Sequence, residues 1–110
     1  MTIEMHTPHG GLQEAIVLRA KQGLIRLSHQ YKGVTRIECT MREDPAISPV
    51  DNKVCEIRVM AFGENLFTHS RTDDYASSAN EAIEHISQQV ALLASKENEL
   101  PDNITTTVRV

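Results

Sequence analysis

The sequence has few cysteines, no excess of basic residues and no long apolar segment. Its two cysteines, together with an N-terminus that does not resemble a signal peptide, favour a reducing compartment, so we expect a cytoplasmic protein. No apolar run approaches the roughly 20 residues that span a membrane. With 11 basic and 15 acidic residues, the formal net charge is −4. The chain therefore lacks a general basic surface for nucleic acid, and any contact with RNA must be local.

Signatures of catalysis and of cofactor binding are also missing from the sequence. It contains no glycine-rich phosphate-binding loop and no nucleophile placed beside a base at a recognisable spacing. His6 and His9 flank a Thr-Pro turn, but no third ligand follows at a spacing typical of metal sites, so surface histidines are favoured. We therefore predict no enzymatic activity, no cofactor and no metal site.

The composition that remains is typical of one globular domain. The chain has 110 residues, enough for one compact domain and too few for two. Hydrophobic residues make up 40% of it and charged residues 24%, which argues against a disordered or fibrous class. We predict a domain over residues 1–97 and a C-terminal tail over residues 98–110. Beyond Pro101, the run Ile104–Val110 fits either a further strand or a loose tail.

Apolar residues recur at two different periods along the chain. A period of two, typical of a half-buried strand, predicts strands over residues 2–6, 35–42, 55–62 and 66–71. A period of 3.6, typical of an amphipathic helix, predicts one helix over residues 12–31 and a second that starts at a cap, Asp73 or Asp74, and ends around Glu97. Gly63, Glu64 and Asn65 predict the hairpin turn between the last two strands.

The element order β-α-β-β-β-α predicts an α+β two-layer sandwich with a four-stranded sheet. The first helix would connect two parallel strands by a right-handed crossover, and both helices would lie on one face of the sheet. Cys39 and Cys55 face inward on neighbouring antiparallel strands. Two buried thiols are favoured there over a redox switch.

Several short motifs, in this order and at this spacing, resemble those of a known family. They are Ala15-Ile16 and Leu24-Ile25-Arg26-Leu27 in the first helix, Val54 to Ala61 in the third strand, Gly63 before the fourth, and Asp74, Ala82 to Ile86 and Gln89-Val90 in the second helix. Over roughly residues 2–96 the sequence is similar to the ribosome hibernation-promoting factors and ribosome-associated inhibitor A. The topology alone would also fit a double-stranded RNA-binding domain.

The resemblance implies a protein without enzymatic activity that inhibits translation by binding the decoding region of the small ribosomal subunit. In that family, lysines and arginines on both helices contact phosphates of ribosomal RNA. The cations that this sequence offers for the role are Arg19, Lys21, Arg26, Lys32 and Lys96. Positions that are commonly basic in the family are here occupied by Gly23, His85, Gln88, Leu92 and Ala94.

The solvent side of the second helix keeps another function open. Its outward residues Glu81, Glu84, Gln88 and Ser95 are acidic to neutral. The alternative is therefore a protein-interaction module that keeps this fold and has lost ribosomal RNA binding. A positive stripe across both helices would favour the first function, and an acidic or apolar helix face the second.

Outward apolar side chains predict self-association as a two-fold homodimer. They are Leu18 and Ile25 on the first helix, Leu92 on the second, and Met60, Phe62 and Phe67 on the open face of the sheet. His69 and Arg71 share that face, so it is also similar to sheets that stack bases of RNA. Because Glu38 and Glu56 lie on it as well, a contact patch is favoured over an RNA platform.

Overall fold

A computed structural model of the chain describes the backbone of residues 1–109 and the side chains of residues 1–97. Its elements are β1 (Thr2–His6), α1 (Glu14–Gln30), β2 (Val34–Glu43), β3 (Lys53–Ala61), β4 (Glu64–Thr72) and α2 (Tyr75–Arg109). This is the predicted order; strands start up to two residues before the predicted positions, β2 and β4 end one residue later than predicted, and β3 ends one residue earlier. In the described part of the chain, no helix is both long and apolar enough to cross a membrane.

The four strands form a single sheet in the order β1-β2-β3-β4. β1 pairs parallel with β2, in a register that sets Ile3 beside Ile37, and the other neighbouring strands are antiparallel. Because β1 and β2 are parallel, the chain must cross from one end of the sheet to the other between them, and α1 forms that crossover. The predicted α+β two-layer sandwich is confirmed.

The hydrophobic core lies between one face of the sheet and both helices. α1 contributes Ala20, Leu24 and Leu27, and α2 contributes a stripe that includes Ala82 and Ile86, all of them buried. The inward residues of the sheet join the same core, among them Ile37, Met41, Ile57 and Val59. Both helices therefore occupy one face, as predicted, and the opposite face of the sheet is open.

Cys39 and Cys55 lie in this core as free thiols. Their Sγ atoms are 3.7 Å apart, because the two residues are diagonal neighbours on β2 and β3. The hydrogen bond between the thiols and their burial raise the pKa of Cys55. The predicted pair of neighbouring buried thiols is present.

α2 begins at an Asp74 cap. The backbone N–H of Ser77 donates to Asp74 Oδ1 at 2.7 Å, and the Ser77 hydroxyl donates to Asp74 Oδ2 at 3.1 Å. The first bond satisfies one of the backbone N–H groups at the start of the helix that have no partner inside it, and the second holds the carboxylate in place. Asp74, rather than Asp73, is therefore the cap.

The hairpin between β3 and β4 turns at Phe62 and Gly63, one residue earlier than predicted. Their φ angles, 54° and 77°, are those of a turn whose twist matches paired strands. Phe62 does not lie on the open face: its N–H donates to the Gly33 carbonyl at 2.9 Å, and its ring packs against Gly33 and the core. That prediction was wrong because the positive φ ends the alternation that would have placed Phe62 beside Met60.

The C-terminal part of α2 is longer than the sequence predicts. The helix backbone continues to Arg109, whereas Pro101 and the fading apolar stripe suggested an end around Glu97. The side chains of residues 98–110 lie outside the described part of the chain. The domain boundary at residue 97 and the role of the tail stay predictions.

Candidate nucleic-acid interface

α1 and α2 lie side by side on the sheet and run in the same direction. Near their first turns, Ile16 and Ala20 of α1 share a hollow with Ala79 of α2. Further along, Leu27 of α1 lies beside Ile83 of α2. We call this line between the two helices the helix seam; it is defined by these five residues together with Arg19 and Arg26, which line the same two hollows. The small side chains of Ala20 and Ala79 allow the two helices to approach closely near their first turns.

Beside the C-terminal half of α1 the helix seam opens into a groove of about 450 Å³. Gly23 contributes to this space by having no side chain, since a Cβ there would lie 3.4 Å from Ile83 Cδ1. The groove is lined by Gly23, Arg26, Leu27, His29, Gln30, Ile83 and Ser87. We call this set the helix groove.

The helix groove combines apolar and polar surface. Leu27 is buried and Ile83 half-buried, while Arg26, His29 and Gln30 are exposed. A guanidinium donates to two phosphate oxygens at once, and imidazole and amide groups donate to phosphate, sugar or base edges. The arrangement therefore suits a phosphate of a nucleic acid together with part of its sugar or base.

The five predicted RNA-binding residues are all exposed but do not form one cluster. Arg26 lines the helix groove, and Arg19 lies about 10 Å before it along α1, at the hollow near the first turns. Lys21 lies on the other flank of α1, beside the loop that follows β1. Lys32 follows the end of α1 and Lys96 lies beyond the helix groove on α2; neither lines the groove or that hollow.

Ion pairing distinguishes Arg19 and Arg26 of the helix seam from three arginines of the sheet. On the open face, Arg36, Arg42 and Arg71 each lie 2.9–3.0 Å from a carboxylate oxygen. Among the described side chains, no carboxylate pairs with Arg19 or Arg26. An arginine already bound to a carboxylate has fewer donors and less net charge to offer a phosphate. Within residues 1–97, the arginines without a carboxylate partner are therefore Arg19 and Arg26 at the helices and, on the sheet, Arg58, whose guanidinium lies over the Phe67 ring.

The described face of α2 does not continue this positive surface. Glu81 and Glu84 are exposed on it, and Lys96 is the first basic residue after the start of the helix. Gln88 and Leu92 are exposed between them. The acidic to neutral character predicted for this face is confirmed, and a positive stripe across both helices is not formed by residues 75–95.

Two residues of the helix groove were missed from the sequence. Gln30 follows Gly23, Arg26 and Leu27 at the spacing of one helix face, so the period of 3.6 carried a signal for it. Ser87 carried no such signal. Its place beside α1 depends on how the two helices pack, which spacing along one helix does not reveal.

The aromatic group predicted on the open face of the sheet is smaller than expected. Phe67 is 42% exposed, with the Arg58 guanidinium 5.1 Å above its ring and the His69 ring 6.0 Å away. Phe62 is absent from this face, and Arg71 is bound to a carboxylate. One exposed ring does not make a stacking platform for successive bases.

Outward apolar surface is also smaller than predicted. Leu18 and Leu92 are exposed, at 56% and 67%. Ile25 and Met60 are half-buried. The exposed side chains lie on three different elements, and the homodimer stays a prediction.

One group of side chains on the open face offers donors suited to a metal ion. Glu4 and His6 of β1 and Glu38 of β2 each present a ligand atom, and these three atoms lie within 4.8 Å of one another. A search for ligands near His6 along the sequence does not find Glu38, which comes from another strand. The parallel register, which pairs Glu4 with Glu38, brings the three together.

No protein-family model matches the sequence, and no curated protein matches it. A ribosomal subunit interface protein from Coxiella burnetii has a similar structure, with a TM-score of 0.67 and 14% identity, over 86% of this chain and 99% of that one. The N-terminal domain of Protein Y from Thermus thermophilus is similar with a TM-score of 0.63 and 19% identity, over 82% of this chain and 96% of that one. This chain therefore shares their fold, in agreement with the family resemblance seen in its sequence.

Proposed function

We propose that this protein associates with the ribosome and inhibits translation by binding RNA in the decoding region of the small subunit. The observation that carries the proposal is the fold it shares, over 86% of its length, with a ribosomal subunit interface protein. A rigid domain lodged in that region blocks the path of messenger and transfer RNA without catalysing a reaction. The proposed partner is found in the cytoplasm.

The helix seam is the surface proposed to contact the RNA. Arg26 binds a phosphate at the helix groove with its guanidinium, and Arg19 binds a second one near the first turns of the helices. His29 and Gln30 add donors at the rim of the groove. Lys21, Lys32 and Lys96 are proposed to contribute outside the seam.

The proposed binding of RNA depends on a small number of lysines and arginines. Each phosphate contact releases about one counterion, so the slope of the logarithm of the affinity against the logarithm of the salt concentration is proportional to the number of contacts. Acidic Glu81 and Glu84 on the exposed face of α2 oppose the approach of RNA. We therefore expect weak association that is lost as the salt concentration rises.

Co-sedimentation with purified small subunits over a series of salt concentrations tests the proposal. We expect wild type to pellet with the subunits at low salt and Arg26→Glu to pellet much less. The matched control is Arg58→Glu, which makes the same change in net charge on the open face of the sheet. Equal pelleting of wild type and Arg26→Glu, both folded by circular dichroism, would contradict the proposed role of α1.

The surface of α2 favours a second candidate, a protein-interaction module on the same fold. Its exposed residues Glu81, Glu84 and Leu92 suit a protein partner better than a phosphate backbone. This candidate predicts that wild type does not pellet with small subunits even at the lowest salt concentration. The first proposal predicts the opposite result in the same experiment.

A further inference from the structure

The open face of the sheet carries a group of three metal-ligating side chains, Glu4, His6 and Glu38. Glu4 and His6 are two residues apart on β1, so the alternation of a strand sets both on the same face. Glu38 is the direct partner of Glu4 in the parallel register of β1 and β2. The three donors thus come from two adjacent strands, on the face of the sheet opposite the helices.

Two of the three distances between the donor atoms match those of a metal site, and all three atoms lie within 4.8 Å of one another. His6 Nε2 lies 3.5 Å from Glu4 Oε2 and 3.4 Å from Glu38 Oε2. Ligands about 2.1 Å from a tetrahedral zinc ion are separated from one another by roughly 3.4 Å. A metal ion bound between these atoms would need little movement of the side chains. We propose that Glu4, His6 and Glu38 bind a divalent transition-metal ion of the zinc type.

Arg36 supports this arrangement by holding one of the carboxylates. Its Nη2 donates to Glu4 Oε1 at 3.0 Å, which leaves Glu4 Oε2 directed toward His6. The same nitrogen is 3.9 Å from Glu38 Oε2, within ion-pair distance but too far for a hydrogen bond, so Arg36 holds this carboxylate less tightly than that of Glu4. Groups that orient a ligand from behind in this way are common in protein metal sites.

The donor set selects the class of ion. One imidazole nitrogen with two carboxylate oxygens suits zinc and its first-row neighbours, whereas calcium and magnesium prefer oxygen donors alone. The side chains of His6, Glu4 and Glu38 are 53%, 38% and 31% exposed, so the ion can enter from solvent and a water molecule can fill the fourth position. The site does not involve the helix seam and does not depend on the proposed function.

Titration of the purified, tag-free full chain with Zn²⁺ by calorimetry tests the proposal, together with Co²⁺ titration followed by visible absorption. We expect one equivalent of Zn²⁺ to bind and the Co²⁺ complex to show the absorption bands of tetrahedral cobalt. His6→Ala should abolish both signals, and Glu38→Gln, which preserves the shape of the side chain, should weaken binding about tenfold or more. The control His9→Ala removes a nearby histidine outside the site and should bind as wild type does.

Three results would overturn the site. They are the absence of saturable binding by wild type, unchanged binding by His6→Ala, and thiolate-to-cobalt absorption, which would assign the ion to Cys39 and Cys55. Because His6→Ala removes the contacts of His6 with two carboxylates as well as a ligand, its thermal melting is compared with that of wild type without metal. Added Zn²⁺ should raise the melting temperature of wild type and Arg26→Glu, and leave that of His6→Ala unchanged.

Discussion

Leu24 of α1 is fully buried in the core between the helices and the sheet. Leu18, less than two turns earlier on the same helix, is exposed. Truncation of a fully buried leucine removes apolar contacts and leaves a cavity. We expect Leu24→Ala to lower the free energy of unfolding by about 2–5 kcal/mol, measured by urea denaturation. The matched variant Leu18→Ala should change it by less than about 0.5 kcal/mol. Similar losses for both variants would contradict the placement of the α1 stripe.

Asp74 makes the stability of the domain depend on pH. The backbone and hydroxyl hydrogen bonds from Ser77 lower the pKa of this carboxyl. A lowered pKa contributes stability that is fully present above the unfolded value of about 3.9 and is lost as the pH falls through the folded value. The contribution is therefore complete at neutral pH and disappears in acid.

Asp74→Asn keeps an oxygen that can cap α2 and removes the titrating group. We expect its melting temperature to be close to that of wild type at neutral pH and to fall less on acidification below pH 4. Exposed Asp51, whose side chain makes no hydrogen bond among the described residues, supplies the control Asp51→Asn, which should follow the wild-type profile. If the melting temperatures of wild type and Asp74→Asn fell equally on acidification, Asp74 would not be a source of the pH dependence of stability.

At the scale of elements, α1 carries a glycine in its interior. Gly23 lowers helix stability relative to residues with a side chain, and its Cβ position is in ordinary van der Waals contact with Ile83. Gly23→Ala and Gly23→Lys should therefore both stabilise the domain, by about 0.5–1 kcal/mol in thermal or urea unfolding.

The two Gly23 variants differ in their expected effect on ribosome association. Gly23→Lys adds a cation to the helix groove beside Arg26, so it should pellet with small subunits at higher salt than wild type. Gly23→Ala adds a Cβ at the same position but no charge, so it should pellet as wild type does. If Gly23→Lys pelleted no better than Gly23→Ala, the helix groove would not be the RNA contact.

At the scale of the whole molecule, the two faces differ in how their charges are arranged. The open sheet face holds three of its arginines in ion pairs, Arg36 with Glu4, Arg42 with Glu56 and Arg71 with Asp44, while Arg58 lies over the Phe67 ring. The helix face leaves its arginines unpaired with carboxylates of the described residues. An anionic partner is therefore expected at the helices, and an apolar contact on the sheet would involve Phe67.

Self-association is a prediction for the intact chain. We expect a dimer mass by light scattering at micromolar concentration, because Leu18, Leu92 and Phe67 leave apolar surface uncovered. Leu18→Glu and Leu92→Glu test a helix-side interface, and Phe67→Glu tests a sheet-side one; the variant at the interface should give a monomer mass. A monomer mass for wild type, unchanged on deletion of the residues after Pro101, would eliminate the dimer.

The sequence by itself determined the order of the elements, the fold class and most of the core. The reason is local: alternation in β2 and β3, and the stripe of Ala20, Leu24 and Leu27, report which side of each element is buried, whatever its neighbours are. The same periodicity placed Arg19 and Arg26 on one flank of α1. The periodicity thus predicted that both arginines are exposed, but not which residues of α2 lie beside them.

Only the tertiary structure decided which side chains from different elements meet. Ser87 lies in the same groove as Arg26 because the helices pack in one particular register. Glu38 lies close to His6 because the register of β1 on β2 sets Glu38 beside Glu4. The position of Phe62 depended on a positive φ that the alternation of β3 does not reveal. Contacts between distant segments are selected by the packing of the whole core, so patterns within one segment cannot specify them.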